Sequence, residues 1–100
     1  MSGTASGIEG LALVIVTFNR SGYLRGLLES VAALDPAPER VVVVDNASTD
    51  DTASYLKALA DTFPLPLTVC TLTENTGGSG GFAAGISAAL QKNAQWLWLM

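Results

Sequence analysis

Histidine is absent from this sequence and cysteine occurs once, at Cys70. With neither residue in number, a disulfide framework, a zinc cluster and a histidine-based catalytic triad are excluded within these residues. Positive charge is also scarce, five Lys and Arg against nine Asp and Glu, and no basic run is present. Nucleic acid is therefore not an expected partner. The longest apolar run, Leu11 to Val16, is far too short for a bilayer, and the first residues lack the cationic and apolar regions of a secretory signal. These features predict a soluble chain in the cytoplasm or, within a longer protein, at the inner face of the cell membrane. What is abundant is apolar surface, 49% of residues with only 14% charged, which implies one folded unit with a buried core.

The polar residues 1–9 are expected to form a loose lead, with one domain over 10–100. Leu11 to Phe18 is almost wholly apolar and rich in β-branched side chains, the signature of a strand buried on both faces. Leu24, Leu27, Leu28, Val31 and Leu34 then recur at helical spacing, with Ser21 as candidate cap and Asp35-Pro36-Ala37-Pro38 as the stop. Val41 to Val44 repeats the buried-strand pattern, followed by helical spacing of Ala53, Leu56, Leu59, Ala60 and Phe63 up to Pro64. A third strand is predicted over Leu67 to Leu72 and a third helix through Phe82, Ile86 and Leu90. Between them Thr73 to Gly81 reads as irregular, and a fourth strand begins at Trp96. Alternation of this kind predicts an α/β fold, a Rossmann-like parallel sheet with helices on both faces, because parallel neighbours require crossovers. The last apolar run breaks off inside a strand pattern, which predicts a segment of a longer protein.

In open α/β sheets ligands lie beyond the carboxyl ends of the strands, so the turn after each apolar run is where chemistry is expected. Thr17, Phe18, Asn19 and Arg20 offer a hydroxyl, an aromatic face, an amide and a guanidinium, which suit a planar base and an anionic diphosphate. The competing reading packs Phe18 in the core and leaves Asn19 as a turn residue. Asp45 ends the second strand, where its carboxylate can accept a hydrogen bond from a base or ribose; Asn46 follows it. Ser48 to Asp51 serves equally well as a helix cap followed by negative charge on the positive end of the dipole. Asn75, Gly77 and Gly78 open a stretch with four glycines in residues 77–81, bare backbone that a ribose or diphosphate can approach.

A dinucleotide fingerprint is a poor fit to the same stretch. Gly78, Gly80 and Ala83 match only its loosest form, and that fingerprint belongs in the first strand-to-helix turn, which here has no glycine. No Gly-Lys-Ser or Gly-Lys-Thr of a phosphate-binding P-loop occurs. Cys70 lies in a strand with no basic neighbour and reads as a small core residue, and Trp96 and Trp98 read as packing.

Taken in order, Val14 to Arg20, Val43 to Asp50 with Thr52, and Glu74 to Gly78 resemble the family 2 glycosyltransferases, which have the GT-A fold, over Leu11 to Met100. Gly77 to Phe82 further resembles the subgroup containing bacterial galactofuranosyl- and rhamnosyltransferases. The resemblance implies transfer of a sugar, with inversion, from a nucleoside diphosphate sugar to a hydroxyl on a glycan, a lipid-linked acceptor or a cell-wall polymer. It implies Thr17, Phe18 and Arg20 on the base and phosphate side, Asp45 bonded to the base, and Asn75 with Gly77 near the nucleoside. It also implies a divalent ion, Mg or Mn, on an acidic motif after the fourth strand. No such motif is present up to Met100, so neither metal ligands nor catalytic residues are expected within these residues, and catalysis by the isolated chain is not expected either. The alternative is a nucleotide-binding or regulatory α/β module without transfer chemistry. An uncovered fourth strand would in either case favour self-association.

Overall fold

The computed structural model describes residues 7–100. Seven elements alternate: β1 (Gly7–Thr17), α1 (Ser21–Ala32), β2 (Ala37–Asp45), α2 (Thr52–Leu59), β3 (Leu67–Thr71), α3 (Gly77–Gln91) and β4 (Trp96–Leu99). All strand pairings are parallel, in the order β3-β2-β1-β4. The two central strands are apolar at consecutive positions because helices cover both faces of the sheet. Leu13, Ile15, Val41 and Val43 pack with Leu24, Leu28 and Val31 of α1 and Leu56 of α2. Ala12, Val14 and Val42 point the other way, towards Ala89 of α3. No helix among the described residues is long and apolar enough to cross a membrane.

Parallel register brings the strand ends level. Thr17 is opposite Asp45 and Asp45 opposite Thr71, so the turns that follow β1, β2 and β3 emerge side by side at one rim. At the opposite end, β1 and β2 run longer than the sequence pattern predicts. Residues 1–6 of the expected lead lie outside the described residues, but Gly7 to Gly10 belong to β1, pairing Gly7 with Ala37 and Ile8 with Pro38. The register then shifts before Ala12, and Gly10 sits at the irregularity with φ of 78°, a conformation glycine adopts without steric cost. The Gly10 N–H donates to Glu39 Oε1 at 2.8 Å. Pro38 is tolerated in β2 because β3 pairs only from Val41 onward and asks no N–H of it.

The third helix departs most from expectation. It begins at Gly77, not after Gly81, so Gly77 to Gly81 of the stretch expected to be irregular form its first turn, while Thr73 to Thr76 are irregular as expected. Its buried stripe is Gly81, Gly85 and Ala89, one position ahead of Phe82, Ile86 and Leu90, and Leu90 is exposed. Small side chains win the inner face because the helix lies very close to the sheet. A Cβ on Gly81 would stand 2.6 Å from Val16 Cγ1, well inside van der Waals contact. Larger side chains are then left to the flanks, where Phe82 packs at the margin of the core.

The fourth strand also differs. Trp96 and Trp98, expected to be packed, are 66% and 41% exposed, and Leu97, Leu99 and Met100 are exposed with them. The cause is position: β4 is the last strand of the sheet and pairs only with β1.

Candidate functional site

At the carboxyl rim lies a cleft of about 420 Å³, within the roughly 300–1,000 Å³ of small-molecule sites. One wall is made of Thr17 at the end of β1, Phe18 and Arg20 after it, Asn46 after β2, Asn75 after β3, and Gly77 and Gly78 at the start of α3. Three turns separated in sequence thus meet on one surface, as the topology requires. A smaller hollow of about 280 Å³ lies at the other end of the sheet, among Glu9, Glu39, Arg40 and Lys92. Strand polarity favours the carboxyl rim as the ligand site.

Two residues expected to contact ligand are not in the cleft wall. Asn19 adopts φ of 49° and turns its amide towards the second loop. Its Oδ1 accepts from the N–H of Thr49 at 2.7 Å and of Asp50 at 3.2 Å, while its own N–H donates to Ser48 Oγ at 2.9 Å. Asp45 is wholly buried, with Oδ1 accepting from Ser48 N–H at 3.0 Å. Its Oδ2 is the buried side-chain oxygen or nitrogen that has no partner among the described residues. Asn46 lines the cleft but uses its side chain within the protein. Oδ1 accepts from the Thr76 N–H and hydroxyl, and Nδ2 donates to the Gly77 carbonyl at 3.0 Å.

The helix starts are capped differently from the sequence expectation. Arg20 and Asp51 occupy the N-cap positions of α1 and α2 without side-chain cap bonds, and Ser21 is already helical. Asp50 serves both helices. Its Oδ1 accepts from Thr52 N–H and Thr52 Oγ1, and its Oδ2 accepts from Ser21 N–H at 3.4 Å. These bonds, the Thr52 hydroxyl foremost, hold the Asp50 carboxyl below its ordinary pKa. Asp51 is held low by a bond from Ser21 and by Arg25, whose guanidinium lies 2.8 Å away and also stacks over the Tyr55 ring. Burial pushes the Cys70 thiol up, which disfavours a nucleophilic thiolate.

The sequence reading overlooked the apolar side of the cleft, formed by Ile15, Val16, Tyr23, Leu24, Leu27 and Met100. One signal was available. Arg20, Tyr23, Leu24 and Leu27 fall at i, i+3, i+4 and i+7, so a cleft that includes Arg20 continues along that stripe of α1. Met100 carried no such signal; it is brought in by pairing, its N–H donating to the Val14 carbonyl at 2.9 Å.

Comparison with known proteins identifies the family and the fold. Residues 12–100 match the family described as Glycosyl transferase family 2. The galactofuranosyltransferase GlfT1 of Mycolicibacterium smegmatis is 36% identical over 91 residues, covering 91% of this chain and 29% of that protein. The protein of the same name in Mycobacterium tuberculosis is 35% identical with the same coverage. Among solved structures, the mannosyltransferase PcManGT from Pyrobaculum calidifontis, in complex with GDP-Man and Mn2+, superposes with a TM-score of 0.71 at 30% identity, covering 78% of this chain and 24% of that one. S. aureus TarS 1–349 in complex with UDP gives 0.67 at 32% identity, with coverages of 90% and 26%. The chain therefore spans 29% of the length of the curated relatives it matches. Its parallel sheet with alternating helices is that of the GT-A glycosyltransferases, and the chain belongs to glycosyl transferase family 2.

Proposed function

We propose that this chain is the donor-binding portion of an enzyme that transfers a sugar from a nucleoside diphosphate sugar to a hydroxyl of a glycan or lipid-linked acceptor. The observation that carries the reading is the convergence of Thr17, Phe18, Arg20, Asn75, Gly77 and Gly78 on one cleft at the carboxyl rim. Phe18 is partly exposed and offers a face for a base, and Arg20 offers a fork of donors for diphosphate oxygens. Gly77 and Gly78 present backbone without side chains, at the N-terminus of α3, where the helix dipole favours an anion. Asp45 Oδ2, buried behind the rim, has no partner among the described residues, and a nucleotide N–H that reached it would satisfy it.

The relatives solved in complex with GDP-Man and Mn2+ or with UDP support a nucleotide sugar as donor, and the galactofuranosyltransferases support galactofuranose as a candidate for the sugar transferred. Among the described residues no group of three or more His, Cys, Asp or Glu side chains comes together to hold a metal, so the residues present do not fit such an ion. The residues of this chain bind and orient the donor. Calorimetric titration of the protein with UDP and with GDP tests this. One of the two is expected to bind, and Arg20→Ala is expected to weaken it about tenfold, the effect of losing roughly 1.4 kcal/mol. Unchanged affinity in that variant would remove Arg20 from the site.

A further inference from the structure

We infer that Asn19 is a positioning residue, one that fixes the spacing of the first and second loops and thereby aims Arg20 into the cleft. The inference rests on the donor-site reading and names a device within it.

The first two loops are joined at Asn19. Its main-chain N–H reaches Ser48 Oγ, its Oδ1 takes the N–H groups of Thr49 and Asp50, and its Nδ2 reaches Thr49 Oγ1 at 3.2 Å. One short side chain therefore satisfies two amides of a loop about thirty residues further along the chain, amides that precede α2 and have no partner in that helix. The left-handed backbone at Asn19 is a conformation that asparagine tolerates better than most side chains. Asn19 stands between Phe18 and Arg20, and both neighbours line the cleft while Asn19 does not. Asn19 thus acts on a ligand only through the residues on either side of it.

A residue that merely stabilised the fold would change ligand affinity independently of Arg20. A residue that aims Arg20 would lose its effect once the Arg20 side chain is gone. The test is a double-mutant cycle on the intact chain, with Asn19→Gly, which keeps the backbone conformation and deletes the amide, and Arg20→Ala. Affinity is measured by calorimetry with UDP and with GDP, and thermal unfolding is followed in parallel. Asn19→Gly is expected to remain folded and to bind about tenfold more weakly, and the double variant to bind no more than about threefold more weakly than Arg20→Ala alone. Multiplicative losses in the double variant, or unchanged affinity in Asn19→Gly, would overturn the positioning role while leaving the donor site intact. If Asn19→Gly unfolds, Ser48→Ala, which removes the oxygen that the Asn19 N–H reaches and so loosens the same junction, is put through the same cycle with the same two outcomes. A wild-type chain that binds neither nucleotide would overturn the donor-site reading itself, and the inference with it.

Discussion

Gly85 lies so close to Val14 that a methyl group on its Cα would collide with the Val14 Cγ1 atom and meet Val44 Cγ2 at 3.0 Å. The contact fixes how closely α3 approaches the sheet, and through it where the first turn of α3 stands at the rim. Gly78, in that first turn, would meet nothing within 4 Å. Two glycines of one helix therefore do different work.

Substitution separates them. Gly85→Ala gains about 1 kcal/mol of helix propensity but overpacks the core at a cost of about 1–3 kcal/mol, a net loss of up to about 2 kcal/mol. Gly78→Ala is expected to unfold no earlier than wild type, yet to bind UDP or GDP more weakly because its methyl intrudes on the cleft. Thermal unfolding and calorimetry on both variants check this, and the reverse ranking in stability would refute the close approach of α3.

Asp50 and Asp51 predict an acid-sensitive rim. Both carboxyls are held below the ordinary carboxylate range in the folded chain, Asp50 chiefly by Thr52 and Asp51 chiefly by Ser21. A lowered folded pKa means that the unfolded chain binds protons first. Their stabilisation is therefore complete above the unfolded value and is lost as pH falls from there through the folded values. Both groups are exposed, so solvent screening keeps the effect small. Asp50→Asn should flatten the stability profile below about pH 4 and leave it nearly parallel to wild type above pH 6, as read from denaturant melts across that range.

Asp45→Asn distinguishes a buried structural carboxylate from a ligand acceptor. The substitution keeps Oδ1 for the Ser48 N–H and exchanges one unpartnered buried group for another, so thermal stability should change little. If Oδ2 accepts from a base, affinity for the preferred nucleotide should fall about tenfold or more, since hydrogen bonds to charged groups contribute about 1.5–3 kcal/mol. Equal affinity in the variant would assign Asp45 to loop support alone.

The apolar edge at β4 predicts self-association. Trp96, Leu97, Trp98 and Leu99 are exposed along a strand that pairs on one side only, a template for strand addition. Sedimentation should show average mass rising with concentration, and Trp98→Lys should suppress the rise. A wild-type chain that stays monomeric throughout would refute the prediction.

The alternation of strands and helices was legible because burial on both faces forces consecutive valines in β2, and burial on one forces the 3.6-residue spacing of Leu24, Leu28 and Val31 in α1. Parallel strands followed from that alternation, and the rim with its polar turns followed from the strands. The inner face of α3 was not legible because periodicity marks large apolar residues. Which stripe faces the sheet depended on how near the helix could come, and that selected Gly81, Gly85 and Ala89.

The sequence by itself determined the order of elements, the class of sheet and the turns that stand at its carboxyl end, because each depends on neighbours within a few residues. Only the tertiary structure decided which polar side chains face the cleft and which face one another. Asn19 and Asn46 look like ligand groups in sequence, yet both spend their amides on loops 30 or 31 positions away. Such a choice follows from distances between separately folded segments, and local pattern contains no record of those distances.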